Sequence, residues 1–231
     1  MKTQDTVTVF DGYVKLHDVM GSDLTVVNSA RVSYNKKKEV LDEKDRRLIQ
    51  FLATNGHTSP FRHATLQFEV YAPLMVARQW WKYVVGGDHV MEGWNESSRR
   101  YITEECEFYI PSYEQWRSAP DNKKQGSGDP VTNELGYELT GALLTHINES
   151  VALYEWAQNM GVCAEQARLF LPAYGMYVRW YWTASLQSVA HLLKQRLNHD
   201  AQWEFQEYAK AIYKLTEPHF PFSLEVLVHG E

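Results

Sequence analysis

"TLQFEVYAPLMVARQWWKYV", residues 65–84, holds two structural signals back to back. Over 65–71 apolar Leu66, Phe68 and Val70 alternate with Thr65, Gln67, Glu69 and Tyr71. Period two marks a half-buried strand. At Pro73 the period changes. Proline suits the first turn of a helix, and 73–84 reads as a largely apolar helix. Its two polar stripes are Arg78 with Lys82, and Gln79 with Tyr83, each pair four residues apart and therefore neighbours on one face. Like charges at that spacing cost about 0.2–0.5 kcal/mol. The stripe therefore either faces an anion or simply snorkels to water.

The rest of the chain extends this strand-and-helix theme. Residues 6–10 and 12–17 read as short strands with a turn at Asp11-Gly12. Ser22 or Asp23 can cap a short helix reaching Ser29. Residues 42–54 read as a helix with Leu48, Phe51 and Leu52 on its apolar face, ending at Asn55-Gly56. The glycine-punctuated stretch 85–94 reads as a loop, and 118–132 as a flexible surface loop. Helical spacing of Leu135, Leu139, Leu143, Ile147, Val151 and Tyr154 predicts one long helix over 133–160. A short helix over 164–171 stops at Pro172. The β-branched and aromatic run 176–183 is a strand. Helices follow over 185–197 and 201–215, with a final short one after Pro221. Strands come early and long helices late, without regular βαβ alternation. The expected fold is α+β, a mixed or antiparallel sheet packed against several helices, in a single domain over 1–231.

Eight Trp and fourteen Tyr among 231 residues supply a large apolar core without staples. Two cysteines, Cys106 and Cys163, form no CxxC pair, which argues against a disulfide framework or a zinc-thiolate site. A net charge of −6 argues against non-specific nucleic-acid binding. The opening residues carry no apolar h-region and no window reaches membrane-spanning length. No membrane association and a cytoplasmic setting are therefore expected, and two Asn-x-Ser sequons read as chance. His57 and His63 flank Ser59-Pro60-Phe61 in no metal-binding pattern, so no metal is expected. There is no GxSxG, Walker or GxGxxG motif. Acids crowd Cys106, which is the wrong environment for a nucleophilic thiol.

Arginines stand out. Arg168, Arg179 and Arg196 each sit among apolar or aromatic neighbours. Buried arginine is rare unless paired, and Glu165, Glu204 and Glu207 are candidate partners. Guanidinium is also the preferred fork for phosphate and pyrimidine oxygens. In "GWNESSRRY", 93–101, an extended backbone would place Glu96, Ser98 and Arg100 on one side and Asn95, Ser97 and Arg99 on the other. A guanidinium, a hydroxyl and adjacent N–H groups on one side make a phosphate cradle. An exposed, salt-bridged loop is the alternative.

These residues carry a resemblance. Asn95-Glu96-x-Ser98-x-Arg100-Tyr101 resembles part of the signature of flavin-dependent thymidylate synthases. SARVSY (29–34), GHTSPFRH (56–63), APLMVARQW (72–80), FYIPS (108–112), ARLFLP (167–172) and Arg196 with QWEFQEYA (202–209) match in order and approximate spacing. The resemblance implies conversion of dUMP to dTMP with FAD, with NADPH as reductant and 5,10-methylenetetrahydrofolate as one-carbon donor. It implies a homotetramer with active sites between subunits, and no cysteine attack on uracil. It places Gln79, Glu96, Ser97, Ser98, Arg100, Arg168 and Arg196 at dUMP. Ser98 and Arg100 would meet the phosphate, Arg196 the pyrimidine, and Arg196 and Ser98 would be catalytic. It places Ser33, His57 and Ser59 at the flavin, together with Arg78, Asn95 and Glu96. The family's RHR triplet is replaced by Lys82-Tyr83-Val84, and Ser185 and His191 stand where the family often has asparagine. The loop 85–94 is longer than usual, with Asp88 and His89 as substitute contacts. These departures touch the flavin edge. They motivate two rival readings: a hydroxymethylase of a pyrimidine nucleotide on the same scaffold, and a nucleotide-binding oligomer without flavin.

Overall fold

The computed structural model describes residues 5–32, 37–85, 92–97, 106–120 and 126–230. Five strands form one antiparallel sheet in the order β1-β2-β3-β5-β4. Its centre is β3 (Thr65–Pro73) paired along its whole length with β5 (Tyr177–Ser185). The alternation read from 65–71 holds: Leu66, Phe68 and Val70 are fully buried, and so are Trp180 and Trp182 across the ladder. Pro73 belongs to the strand rather than to the helix, because its partner Tyr177 keeps it in the ladder. The helix α3 (Leu74–Val85) then starts on a hydrogen bond from the Leu74 N–H to the Met176 carbonyl.

The first hairpin is β1 (Thr6–Val9) and β2 (Gly12–Met20). Its turn is Phe10-Asp11, one residue earlier than the sequence suggests, and Phe10 takes a positive φ of 54°. Gly12 serves another purpose. A Cβ there would lie 2.1 Å from the Tyr71 carbonyl, so glycine lets two strands approach. A register shift between Leu16 and Asp18 carries β2 on to Met20, beyond the expected end at 17. At the opposite edge, β4 (Gly93–Glu96) pairs with β5, so the expected loop 85–94 ends in a strand.

Helices cover the apolar face of the sheet. Trp80 of α3 meets Trp180 and Trp182 edge-on, both at 5.3 Å, and stacks on Phe205 of α7 (Trp203–Thr216). Truncating such a ring costs about 3–5 kcal/mol. Beyond it pack α1 (Asp23–Ala30), α2 (Glu43–Thr54), α6 (Leu186–Arg196) and α8 (Pro221–His229). Asp23 accepts from the N–H groups of Phe222 and Ser223, both at 2.9 Å, and so fixes the start of α8. In α2 the buried stripe is Asp45, Ile49 and Leu52. Phe51 is about half exposed, contrary to the apolar face expected for it, because it lies 100° round the helix from Leu52.

The long helix is α4 (Asn133–Asn159), capped by the Thr132 hydroxyl. Ile147 is buried and Leu139, Leu143, Val151 and Tyr154 are half-buried, as their spacing predicts, whereas Leu135 is exposed. A further stripe, Leu153, Trp156 and Met160, is exposed. The expected helix 164–171 is one α-turn, α5 (Ala164–Ala167), followed by a 3-10 turn over Arg168–Phe170. Of the surface loop 118–132, both described ends are joined: the Ser118 N–H donates to the Asp129 carbonyl and Arg117 bridges Pro130.

Candidate active site

The site is built where α3, α6 and α7 converge at one end of the sheet. Tyr83 of α3 lies beneath Arg196, the last residue of α6, with the guanidinium carbon 5.2 Å from the ring centroid. The same carbon lies 5.1 Å from the Phe205 ring. Arg196 is half-buried. Its Nε is buried without a hydrogen-bond partner, and no carboxylate pairs with it among the described residues. Two of the candidate acids are engaged elsewhere: Glu204 accepts from Gln202 at 2.8 Å and Glu207 pairs with Lys210 at 2.6 Å. Two aromatic faces hold the guanidinium, worth about 0.5–2 kcal/mol each; it also reaches the Tyr83 hydroxyl, while its Nε is left without a partner. Burial raises the Tyr83 phenol above its usual range, although the Arg196 charge opposes this, so the ring stays neutral beneath the cation.

One turn back on the same helix face, the Gln79 side chain is half-buried and hydrogen-bonded to Gln202. Arg78 and Lys82 are exposed, so the stripe reaches the surface of this chain. Arg78 nevertheless faces the β4 edge. Desolvation raises the Glu96 carboxyl above its usual range, and the Arg78 charge and the Trp94 contact oppose that rise. Asn95 and Glu96 lie in register with Tyr181 and Trp180. The Ser97 N–H donates to the Arg179 carbonyl at 2.8 Å, which anchors the chain as it leaves β4.

A cavity of about 260 Å³ opens beside α6. Thr54, Thr58, Gln187, His191 and Lys194 line it, beside His57 and Ser59. His191 also meets the Tyr83 ring at 5.8 Å, so this cavity adjoins the arginine site. His57 is exposed and stacks on Phe51 at 5.8 Å. Gln187 Oε1 is buried without a partner among the described residues. An orphaned acceptor beside hydroxyls, an imidazole and an ammonium suits a ligand carrying both N–H donors and anionic oxygens. Ser185 is occupied structurally: its Oγ accepts from the Ser188 N–H and caps α6. Val84 is half-buried at the end of α3.

Arg168 is not among the residues that line this cavity. It is exposed in the turn after α5, among Leu169, Phe170 and the Leu153–Trp156–Met160 stripe. Arg179, grouped in the sequence with buried arginines, is exposed on the polar face of the sheet, 3.7 Å from Glu69. Ser33, Ser98 and Arg100 fall outside the described residues, as do Asp88 and His89. Among the described residues no group of three His, Cys, Asp or Glu side chains could hold a metal, and no helix is long and apolar enough to cross a membrane. Gln202, Glu204 and Gln187 escape a sequence-only site assignment. Glutamine and glutamate on amphipathic helices read as solvated faces until the packing brings them to a cavity wall.

The family model described as thymidylate synthase complementing protein matches residues 15–222. A flavin-dependent thymidylate synthase from Thermotoga neapolitana is 38% identical over 220 residues, covering 94% of this chain and 91% of that protein. One from Thermus thermophilus is 36% identical over 219 residues, covering 94% and 76%. Among solved structures, the UMP/dUMP methylase PolB from Streptomyces cacaoi bound with 5-Br dUMP superposes with a TM-score of 0.81, at 25% identity and 94% coverage of each chain.

Proposed function

The chain belongs to the thymidylate synthase complementing protein family, that of the flavin-dependent thymidylate synthases, and from that premise we propose that it reductively methylates dUMP. The reaction is dUMP, 5,10-methylenetetrahydrofolate, NADPH and a proton giving dTMP, tetrahydrofolate and NADP⁺. The observation that carries the reading is Arg196: a half-buried guanidinium, held by rings rather than by acids, beside Gln79.

The donor fork of Arg196 faces the pyrimidine oxygens and stabilises the negative charge that develops there when C5 becomes a nucleophile. Gln79 fixes the pyrimidine edge, and Glu96 accepts from the sugar. Ser97, Ser98 and Arg100, beyond the β4 anchor, cradle the phosphate, with Ser98 as the second catalytic group. FAD would enter the polar cavity with one part of its length, since about 260 Å³ is too small for the whole group: Thr58, Gln187, His191 and Lys194 line it, and His57 and Ser59 stand beside it in sequence. Arg78, Lys82, Tyr83, Val84 and Asn95 form its other edge, with Ser33 and Ser185 nearby. Bound flavin supplies the hydride that converts a methylene into a methyl group. Lys82-Tyr83-Val84 keeps one exposed cation at this edge, and the neutral Tyr83 ring supports Arg196 from beneath.

The exposed apolar stripe on α4, continuous with Leu169 and Phe170, supports a homotetramer. In that assembly Arg168 enters the nucleotide site of a neighbouring subunit.

The test is reconstitution. Purified protein should bind FAD, turn yellow, be bleached by NADPH, and convert dUMP to a product whose mass has risen by one methylene unit. A hydroxymethyl product would favour the hydroxymethylase. A colourless protein that binds dUMP but no FAD would reduce it to a nucleotide-binding oligomer.

A further inference from the structure

We infer that the side-chain relay Gln79–Gln202–Glu204 selects uracil against cytosine, which makes Gln202 and Glu204 positioning residues for the nucleotide base. The inference deepens the dUMP reading and rests on it. The relay is ordered by its last member. A carboxylate accepts hydrogen bonds and donates none. Gln202 therefore turns its NH2 toward Glu204, with Nε2 donating to Oε2 at 2.8 Å, and the same nitrogen lies 3.4 Å from the Met75 sulfur, a weak acceptor. That leaves the Gln202 carbonyl oxygen facing α3, where it accepts from Gln79 Nε2. Reversing Gln202 would set its carbonyl against the carboxylate and its NH2 against the NH2 of Gln79. An amide orientation is assigned from its network, and here the network ends on a group of fixed polarity.

The consequence reaches the site. Gln79 is held with its NH2 turned to Gln202, so its Oε1 is the acceptor left for a ligand. One turn along α3 lies Tyr83, beneath Arg196, whose guanidinium only donates. The two groups thus present one acceptor and one donor fork. Uracil offers C=O, N3–H and C=O along its edge, and cytosine offers NH2, an N3 lone pair and C=O. With Arg196 on the C4 carbonyl and Gln79 Oε1 on N3–H, uracil is satisfied. Cytosine would set a lone pair against Oε1 and an amine against the guanidinium. A site built on buried hydrogen-bonding groups rejects a mismatched partner strongly, because its own groups are left unpaired.

The experiment is calorimetric titration of the FAD-loaded protein with dUMP and with dCMP. The wild type should bind dUMP roughly a hundredfold or more tightly than dCMP. Glu204→Gln, which differs from the native side chain in one terminal group, lets Gln202 turn over. It should lower the dUMP-to-dCMP ratio by about tenfold or more with an unchanged melting temperature. Gln202→Met, of similar shape, should do the same by releasing Gln79, and either variant suffices if the other does not fold. A ratio unchanged in a folded variant overturns the inference, and so does an equal loss of both nucleotides, which would mark the relay as structural support only. A wild type that binds dUMP while the variants keep its discrimination removes the relay alone. A wild type that binds no dUMP removes the function reading as well.

Discussion

Two cationic clusters in this molecule are built on opposite rules. Between α1 and α2, Asp45 is fully buried, and two cations close on it: Arg31 at 2.5 Å and Lys38 at 3.1 Å. At the junction of α3, α6 and α7, Arg196 is half-buried against Tyr83 and Phe205, with no acid closing on it among the described residues. Charge in the first cluster is neutralised within the chain, and its role is to hold α1 against α2. In the second the protein holds the cation in place with rings and leaves its Nε without a hydrogen-bond partner. Burial of charge alone therefore does not mark a site. Burial of a donor without its acceptor does.

The largest expected difference between the clusters is catalytic. Arg196→Ala should lower kcat about a hundred- to a thousandfold. Its melting temperature should fall by no more than about 10 °C, since two cation–π contacts are lost while the packed core stays intact. Steady-state turnover and a thermal melt check both halves, and near-normal turnover would take Arg196 out of the site. The α4 stripe gives the next effect. Trp156→Asp should shift the mass measured by light scattering from tetramer toward smaller species and weaken dUMP binding about tenfold or more, because Arg168 would no longer reach a neighbour's nucleotide. An intact tetramer would show that the stripe is ordinary surface.

Asp45→Ala inverts the Arg196 pattern. It leaves Arg31 and Lys38 without their acid and should destabilise the fold by about 3 kcal/mol, lowering the melting temperature by roughly 10 °C. Turnover per folded molecule should not change. The smallest effect concerns Asp42, the N-cap of α2. The Lys38 ammonium, followed by N–H groups of α2, holds its carboxyl down to about 2. A depressed folded pKa means that its contribution is present above the ordinary carboxylate range and is lost as pH falls through about 2. Melting curves from pH 5 to pH 2 should therefore show a slope that Asp42→Asn flattens, since asparagine still caps but does not titrate. Parallel slopes would show that Asp42 contributes nothing measurable.

The strand-helix core was legible because its periods are long and clean: 65–71, 73–84 and 176–183 all form the elements that their spacing predicts. The edge strand β4 was not, since Gly93 reads as a loop and only pairing with β5 makes 93–96 extended. The turn at Phe10-Asp11 was misplaced because Gly12 answers to the approach of Tyr71, a tertiary demand invisible in local sequence. At the site, Arg196 and Gln79 were legible as charge and amide in apolar settings. Their relation to Tyr83, Gln202 and Glu204 was not. Helices distant along the chain meet there, and no local pattern records which side chains face each other.

The clasp between Asp23 and the start of α8 joins positions 199 and 200 residues apart. During synthesis the first hairpin and α1 emerge long before their partner exists. At ribosomal speeds of roughly 5–20 residues per second, that interval is about ten seconds or more. Until then the Asp23 carboxylate stays hydrated, so seating of α8 is a late event in biogenesis. In a nascent chain arrested before 222, the early segment should be digested quickly by protease, and it should become resistant once the last helix clears the exit tunnel.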